Sequence, residues 1–126
     1  MPQAEIRVFR DEGGKSPLLT WLDVLRRREP KAYFKCLARI LDLAREGNEL
    51  RRPHADYLRD GIRELRMKVG RVNYRILYSF VGSQVAVLTH GLKKEAAVPA
   101  AEIEFAIACL ALVRSDPQKY TADFEV

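Results

Sequence analysis

The sequence predicts an α+β fold of order β-α-α-β-β-β-α, with helices packed on a small, mostly antiparallel sheet. Three observations carry this: two apolar stripes of helical period between residues 16 and 47, three strand-like runs between Arg63 and Leu92, and a last helical stripe after Pro99. With 126 residues the chain is expected to form one domain, 1–126, long enough to bury a real core.

The segment "AEIRVFRDE" reads as a first strand, closed by Gly13 and Gly14, at or near a sheet edge. Ser16 is an N-cap and Pro17 a first helical residue, and Leu18, Leu22 and Leu25 then share one face, with Leu19 and Trp21 beside it. After Pro30, the positions of Tyr33, Cys36, Leu37, Ile40, Leu41 and Ala44 give a second helix stopped at Gly47, so the two form a hairpin. Its outer faces carry Arg26, Arg27, Arg28, Lys31, Lys35, Arg39 and Arg45, read as solvated, with nucleic-acid contact as the alternative. "NELRRPHADYLRDG", broken by Pro53 and Gly61, reads as a connecting loop with at most one helical turn, and His54 within it as a bland surface residue. Strands over residues 63–68, 72–81 and 84–92 follow as a meander, with "VGR" and "GS" at the turns. A helix starting at Pro99 places Ile103, Ala106, Ile107, Leu110 and Val113 on one face, and the tail after about residue 115 is expected to be loose.

Apolar residues make up 48% and charged residues 31%, a globular balance with no stretch able to span a bilayer and hence no membrane partner. Lys and Arg outnumber Asp and Glu by 22 to 17, a net charge of +5 that favours polyanionic partners. The charged start "MPQAEIRVFRDEGG" lacks the apolar region of a signal peptide, so a cytoplasmic location is expected. Cys36 and Cys109 each lie in an apolar helical stripe and act as small hydrophobes; no metal spacing or cofactor motif is visible.

The meander is where chemistry concentrates. If Gly82 and Ser83 form a two-residue loop, Val81 pairs with Gln84 and Arg75 falls opposite His90; a turn at Gly70 and Arg71 puts Arg66 opposite Arg75. One row then reads Arg66, Arg75, His90, and like charges set opposite each other destabilise a sheet unless something offsets them, as an anion bound between them would. The other face, with Leu65, Met67, Tyr74, Ile76, Tyr78, Phe80, Val85 and Val87, is the expected core, while Leu77, Ala86 and Leu88 join the cationic face. Lys93 and Lys94 leave the last strand at the same end. Two arginines, a histidine and two lysines, without a carboxylate cluster, suit phosphodiester cleavage without a metal. A base takes the proton of a 2′-hydroxyl, donors hold the phosphate, and an acid meets the leaving oxygen. His90 has the ordinary pKa for proton transfer and Arg75 the fork for phosphate.

The ordered set "GKSP", a leucine-rich helical hairpin, "LRDGIRELR", "YRILY" and "HGLKKEAAVPAAEIEFA" resembles the phage-derived HigB-like branch of the RelE/HigB toxins, within the RelE/ParE superfamily. The resemblance covers Ile6 to about Val113. It implies a toxin of a type II toxin-antitoxin module: an mRNA endoribonuclease that inhibits translation on the ribosome and is silenced by a cognate antitoxin, often a helix-turn-helix protein. Carried over by position, the catalytic candidates are Arg75, His90, Arg66 and Lys94, with Lys93, Lys68 and Arg71 on the RNA backbone. RelE-type enzymes often add a tyrosine shortly after the basic pair. None follows Lys94 closely, so acid-base duty passes to His90 or Tyr78, or alignment rests on the ribosome. Two other readings accompany this one: a ParE-like, non-enzymatic inhibitor of DNA gyrase, and an inactive member with a regulatory binding role.

Overall fold

A computed structural model describes residues 4–94 and 96–125. The chain runs β1 (Glu5–Phe9), α1 (Pro17–Arg28), α2 (Pro30–Glu46), a 3₁₀ turn at Gly47–Glu49, β2 (Ala55–Arg59), β3 (Ile62–Val69), β4 (Val72–Val81), β5 (Val85–Lys93), α3 (Ala100–Ser115), α4 (Pro117–Tyr120) and β6 (Thr121–Asp123). The six strands form one sheet in the order β2-β3-β4-β5-β1-β6. β1 runs parallel to β5 and antiparallel to β6; the other neighbours are antiparallel.

Both helices of the hairpin start as their sequence predicts. Ser16 Oγ accepts the Leu19 N–H at 3.2 Å and Pro17 opens α1; Pro30 opens α2. Leu18, Leu22 and Leu25 of α1 and Ala32, Cys36, Ile40 and Leu43 of α2 are buried against one sheet face, where they meet Val8, Leu65, Met67, Tyr74, Ile76, Tyr78, Ala86 and Leu88. The opposite face is also covered. Ile103, Ala106, Cys109, Leu110 and Val113 of α3 pack on Phe9, Ile62, Leu77, Val87 and Leu92. The molecule is therefore three layers, and the sheet needs apolar residues on both faces.

Three expectations change. The segment read as a loop contains β2, which pairs with β3 through a two-residue turn at Asp60 and Gly61. Their φ angles of 53° and 80° suit the primed turns that close tight hairpins. The tail expected to be loose forms α4 and β6, and Thr121, Ala122 and Asp123 pair with Phe9, Val8 and Arg7. Finally, the β4–β5 turn holds three residues, since Val81 pairs with Val85, and a bulge follows between Tyr78–Leu88 and Leu77–His90. The longer turn shifts the near half of β5 by one residue, so Ala86 and Leu88, not Val85 and Val87, face the helical hairpin. The bulge adds a second residue of shift and restores the expected faces beyond Thr89.

Candidate functional site

The β3–β4 turn is the one expected from sequence, with Val69 opposite Val72 and Arg66 opposite Arg75. The row beyond it differs: Arg75 faces Leu92, and His90 faces Leu77 in the next row, itself opposite Glu64. The expected line Arg66, Arg75, His90 is not formed. In its place two rows lie side by side on the α3 face, one of Arg66, Arg75 and Leu92, the other of Glu64, Leu77 and His90.

Arg75 is only 7% exposed and Glu64 6%, and Arg75 Nε lies 2.9 Å from Glu64 Oε1. The N–H does not aim at that oxygen, which has no aligned donor among the described residues, so the contact is an ion pair of imperfect direction. Arg75 Nη1 donates to the Tyr74 carbonyl at 3.2 Å. Burial pushes the Glu64 carboxyl above the ordinary carboxylate range, against the pull of Arg75 and Arg66. This carboxylate orients Arg75 and was not singled out in the sequence, although its place two residues before Arg66 puts both on one face of β3.

Beside this pair, β2 stops and the edge of β3 opens. The Arg66 N–H donates to the His54 carbonyl at 2.9 Å, after which β3 runs on without a β2 partner. Arg39 of α2 fills part of the gap, donating Nε to the Arg66 carbonyl at 3.0 Å and Nη1 to Asp42 at 2.8 Å. A cavity of about 270 Å³ results, lined by Lys35, Arg39, Pro53, His54, Arg66, Met67, Lys68, Asn73 and Arg75. Five cationic residues, Lys35, Arg39, Arg66, Lys68 and Arg75, and one histidine line it, with no carboxylate. His54 is half-buried, with its side chain 44% exposed, and its Nδ1 is 4.0 Å from Asp42 Oδ2. Lys35, Arg39 and His54 thus join the site from segments read as bland; the signal for them was positive charge on α2, without a partner to aim it at.

The other candidates lie elsewhere. His90 donates or accepts at both nitrogens, with Glu102 Oε1 2.8 Å from Nε2 and Thr89 Oγ1 3.0 Å from Nδ1. The Phe105 ring meets it edge to face at 4.8 Å. Burial lowers its pKa, and the Glu102 hydrogen bond opposes that shift. It lines a separate cavity of about 630 Å³ with Trp21, Phe105 and Glu102, where β5 extends past the end of β1. Lys93 turns to the helical-hairpin face, 3.2 Å from Glu29 and over the Tyr74 ring at 5.7 Å. Lys94 is exposed, and its N–H donates to the carbonyl of Asn73, a wall of the arginine cavity. Lys68 lines that cavity, while Arg71 sits exposed in the turn. Tyr78 is buried in the core and its phenol is pushed up to about 12 by burial. Among the described residues no group of His, Cys, Asp and Glu could hold a metal, and no helix is long and apolar enough to cross a membrane.

The six-stranded α+β scaffold thus gathers five cations around a cavity at the open edge of its sheet, two of them, Arg39 and Arg75, paired with carboxylates outside its lining. Residues 23–110, more than two thirds of the chain, match the model of the family described as Phage derived protein Gp49-like (DUF891). The chain belongs to that family, a RelE/HigB-like toxin family of toxin-antitoxin systems. No curated protein matches it.

Proposed function

We propose that the protein is the toxin of a type II toxin-antitoxin module and a metal-independent endoribonuclease that cuts mRNA on the ribosome, held inactive by a cognate antitoxin. The observation that carries this is the cavity at the end of β2, where Arg66 and Arg75 face each other across two strands with Lys68, Arg39, Lys35 and His54 around them. Glu64 offsets part of the Arg75 charge from outside the lining, while the lining itself holds five cations and no carboxylate, an excess that attracts an anion. A phosphodiester accepts the paired donors of two guanidinium forks.

In this reading Arg66 and Arg75 hold the scissile phosphate, and Lys68 and Lys94 the flanking backbone. Arg71 contributes only long-range attraction. His54 takes the proton-transfer role, because it lines the arginine cavity and Asp42 Oδ2, 4.0 Å from its Nδ1, favours the charged imidazolium that forms. The 2′-hydroxyl gives its proton to the imidazole as the 2′-oxygen bonds to phosphorus. The bond to the 5′-oxygen breaks, and that oxygen takes a proton from solvent water, leaving a cyclic phosphate and a 5′-hydroxyl. The arginines stabilise the charge that builds on the phosphorane oxygens. His90 is the second candidate: the register makes it a diagonal neighbour of Arg75, about 7–8 Å away between Cα atoms. Its two hydrogen bonds and its burial argue for a structural role.

Induced expression of the wild type is expected to arrest growth with cleaved mRNA. Arg66→Ala, Arg75→Lys and His54→Ala should relieve arrest, each lowering cleavage at least about 100-fold. His90→Gln should retain most of it. Arg75→Lys keeps a cation beside Glu64, so a folded, inactive protein by circular dichroism separates loss of the fork from loss of the fold. Continued arrest in the folded arginine variants would sink the proposal, and intact mRNA with accumulating cleaved DNA would point to gyrase.

A further inference from the structure

Phe34 projects from the second turn of α2 and is 63% exposed, more than any other large apolar side chain described. A solitary exposed phenylalanine is ordinary, but its surroundings are not. It lines a groove of about 560 Å³ with Lys31, Lys35, Ala38, Lys68, Val69 and Gly70. Lys31 and Lys35 flank it on α2, and Lys68 faces it from the β3–β4 hairpin. Every charged residue in the lining is a cation. The Tyr33 ring meets Phe34 at 70° with centroids 5.2 Å apart, which holds the ring in place from the core side of the helix.

This groove is continuous with the arginine cavity. Lys35 and Lys68 line both, so a chain leaving the Arg66–Arg75 site toward the hairpin tip passes between those two lysines and reaches Phe34. An aromatic ring flanked by lysines and adjoining a phosphate-sized basic cavity is the arrangement by which proteins hold single-stranded nucleic acid: cations track the backbone, and a base stacks on the ring. The lysines also contribute to salt-dependent attraction of the strand.

We propose that Phe34 is a base-stacking platform for single-stranded RNA, holding a nucleotide next to the one whose phosphate occupies the Arg66–Arg75 cavity. The proposal rests on the reading of that cavity as an RNA site. It assigns substrate contact to α2, away from the meander, and gives the groove sequence tolerance, since every base has a face to stack.

The test is fluorescence anisotropy with the full chain, a short labelled single-stranded RNA and an oligonucleotide of the same length lacking bases. Phe34→Ala is expected to weaken RNA binding about ten-fold or more and leave the abasic strand unaffected, whereas Phe34→Trp retains RNA binding. Arg66→Ala should weaken both strands. Phe34 is largely exposed, so its removal does not threaten the core. Undiminished RNA binding by Phe34→Ala, with loss in Arg66→Ala, overturns the platform and leaves the phosphate site standing. Loss in Phe34→Ala alone leaves Phe34 as an RNA contact but overturns the phosphate reading and, with it, the proposed placement of the platform beside that site. Equal loss for the RNA and abasic strands, no RNA binding by the wild type, or loss of antitoxin binding in Phe34→Ala with RNA binding intact each overturns the platform.

Discussion

Two titratable side chains on the α3 face, Glu64 and His90, are held away from their ordinary pKa values chiefly by burial, and they move in opposite senses of charge. Burial favours the neutral form of each. For Glu64 the neighbouring arginines resist, and its carboxylate keeps Arg75 from occupying the sheet interior as an isolated cation. For His90, Glu102 resists, while Asp11 and Lys15 stand farther along the same cavity. Because its folded pKa lies below the ordinary 6.5, the unfolded chain binds the proton more readily. The stability that neutral His90 contributes is present above pH 6.5 and is lost as pH falls below it. Asp56 and Glu29, whose pKa values are lowered by hydrogen bonds from Arg52 and Tyr74, act only in the more acidic carboxylate range. Between about pH 6.5 and about pH 5 His90 therefore lowers the stability of the wild type as pH falls, while Glu64, which binds its proton more readily when folded, raises it. The His90 part is read from urea unfolding as the difference between wild type and His90→Gln. His90→Gln should lose less stability, or gain more, than the wild type across that segment; an unchanged slope would mean that His90 is no more reluctant to charge when folded than when unfolded.

At the scale of elements, β5 depends on a close approach that only glycine permits. A Cβ at Gly91 would lie 2.3 Å from Trp21 Cε3, so α1 rests its indole directly on the β5 backbone. Gly91→Ala should cost about 1–3 kcal/mol through overpacking, read as a lower denaturation midpoint with unchanged secondary structure. A wild-type midpoint would show that Trp21 swings aside freely. The same strand shows where sequence reasoning ends. The helical hairpin and the β3–β4 turn were legible because a Ser-Pro start, apolar spacing and a Gly-Arg turn each leave a local mark. The register of β5 was not, since one extra turn residue and one bulge leave the polar-apolar alternation almost intact while moving His90 two positions from Arg75's partner. β2 carried a usable signal, Asp60-Gly61 between two short runs, which Pro53 and the surrounding charge concealed. Lys35, Arg39 and His54 were visible as residues, but their convergence depends on α2 crossing the end of β3, a contact between distant segments.

At the scale of the molecule, the three layers explain why a charged site can exist within a sheet that is otherwise apolar on both faces. α3 covers Ile62, Leu77, Val87 and Leu92, and the α1–α2 hairpin covers the other side. The β3–β4 hairpin extends past the end of β2, and there the cations gather. The opposite edge is closed by the chain's last described segment. β6 pairs with β1, and Asp123 forms an ion pair with Arg7. Arg10 donates Nε to the Lys119 carbonyl at 3.0 Å and Nη2 to the Gln118 carbonyl at 2.8 Å. Tyr120 is 9% exposed and Thr121 2%, so this segment is part of the second core and not an appendage. Truncation after Ser115 should remove at least about 2 kcal/mol of stability from the lost Tyr120 burial alone. It also strips β1 of its outer partner, and an uncovered strand edge with Ile6, Val8 and Phe9 is a template for pairing with another copy. The truncated chain should therefore unfold at a lower temperature and elute earlier on size exclusion as concentration rises. The arginine cavity lies across the sheet from this edge, so monomeric truncated protein that still folds should keep its RNA affinity. Full stability after truncation would show that β1 and β5 hold the edge without β6. Loss of RNA affinity in a folded monomer would show that the two edges of the sheet are coupled.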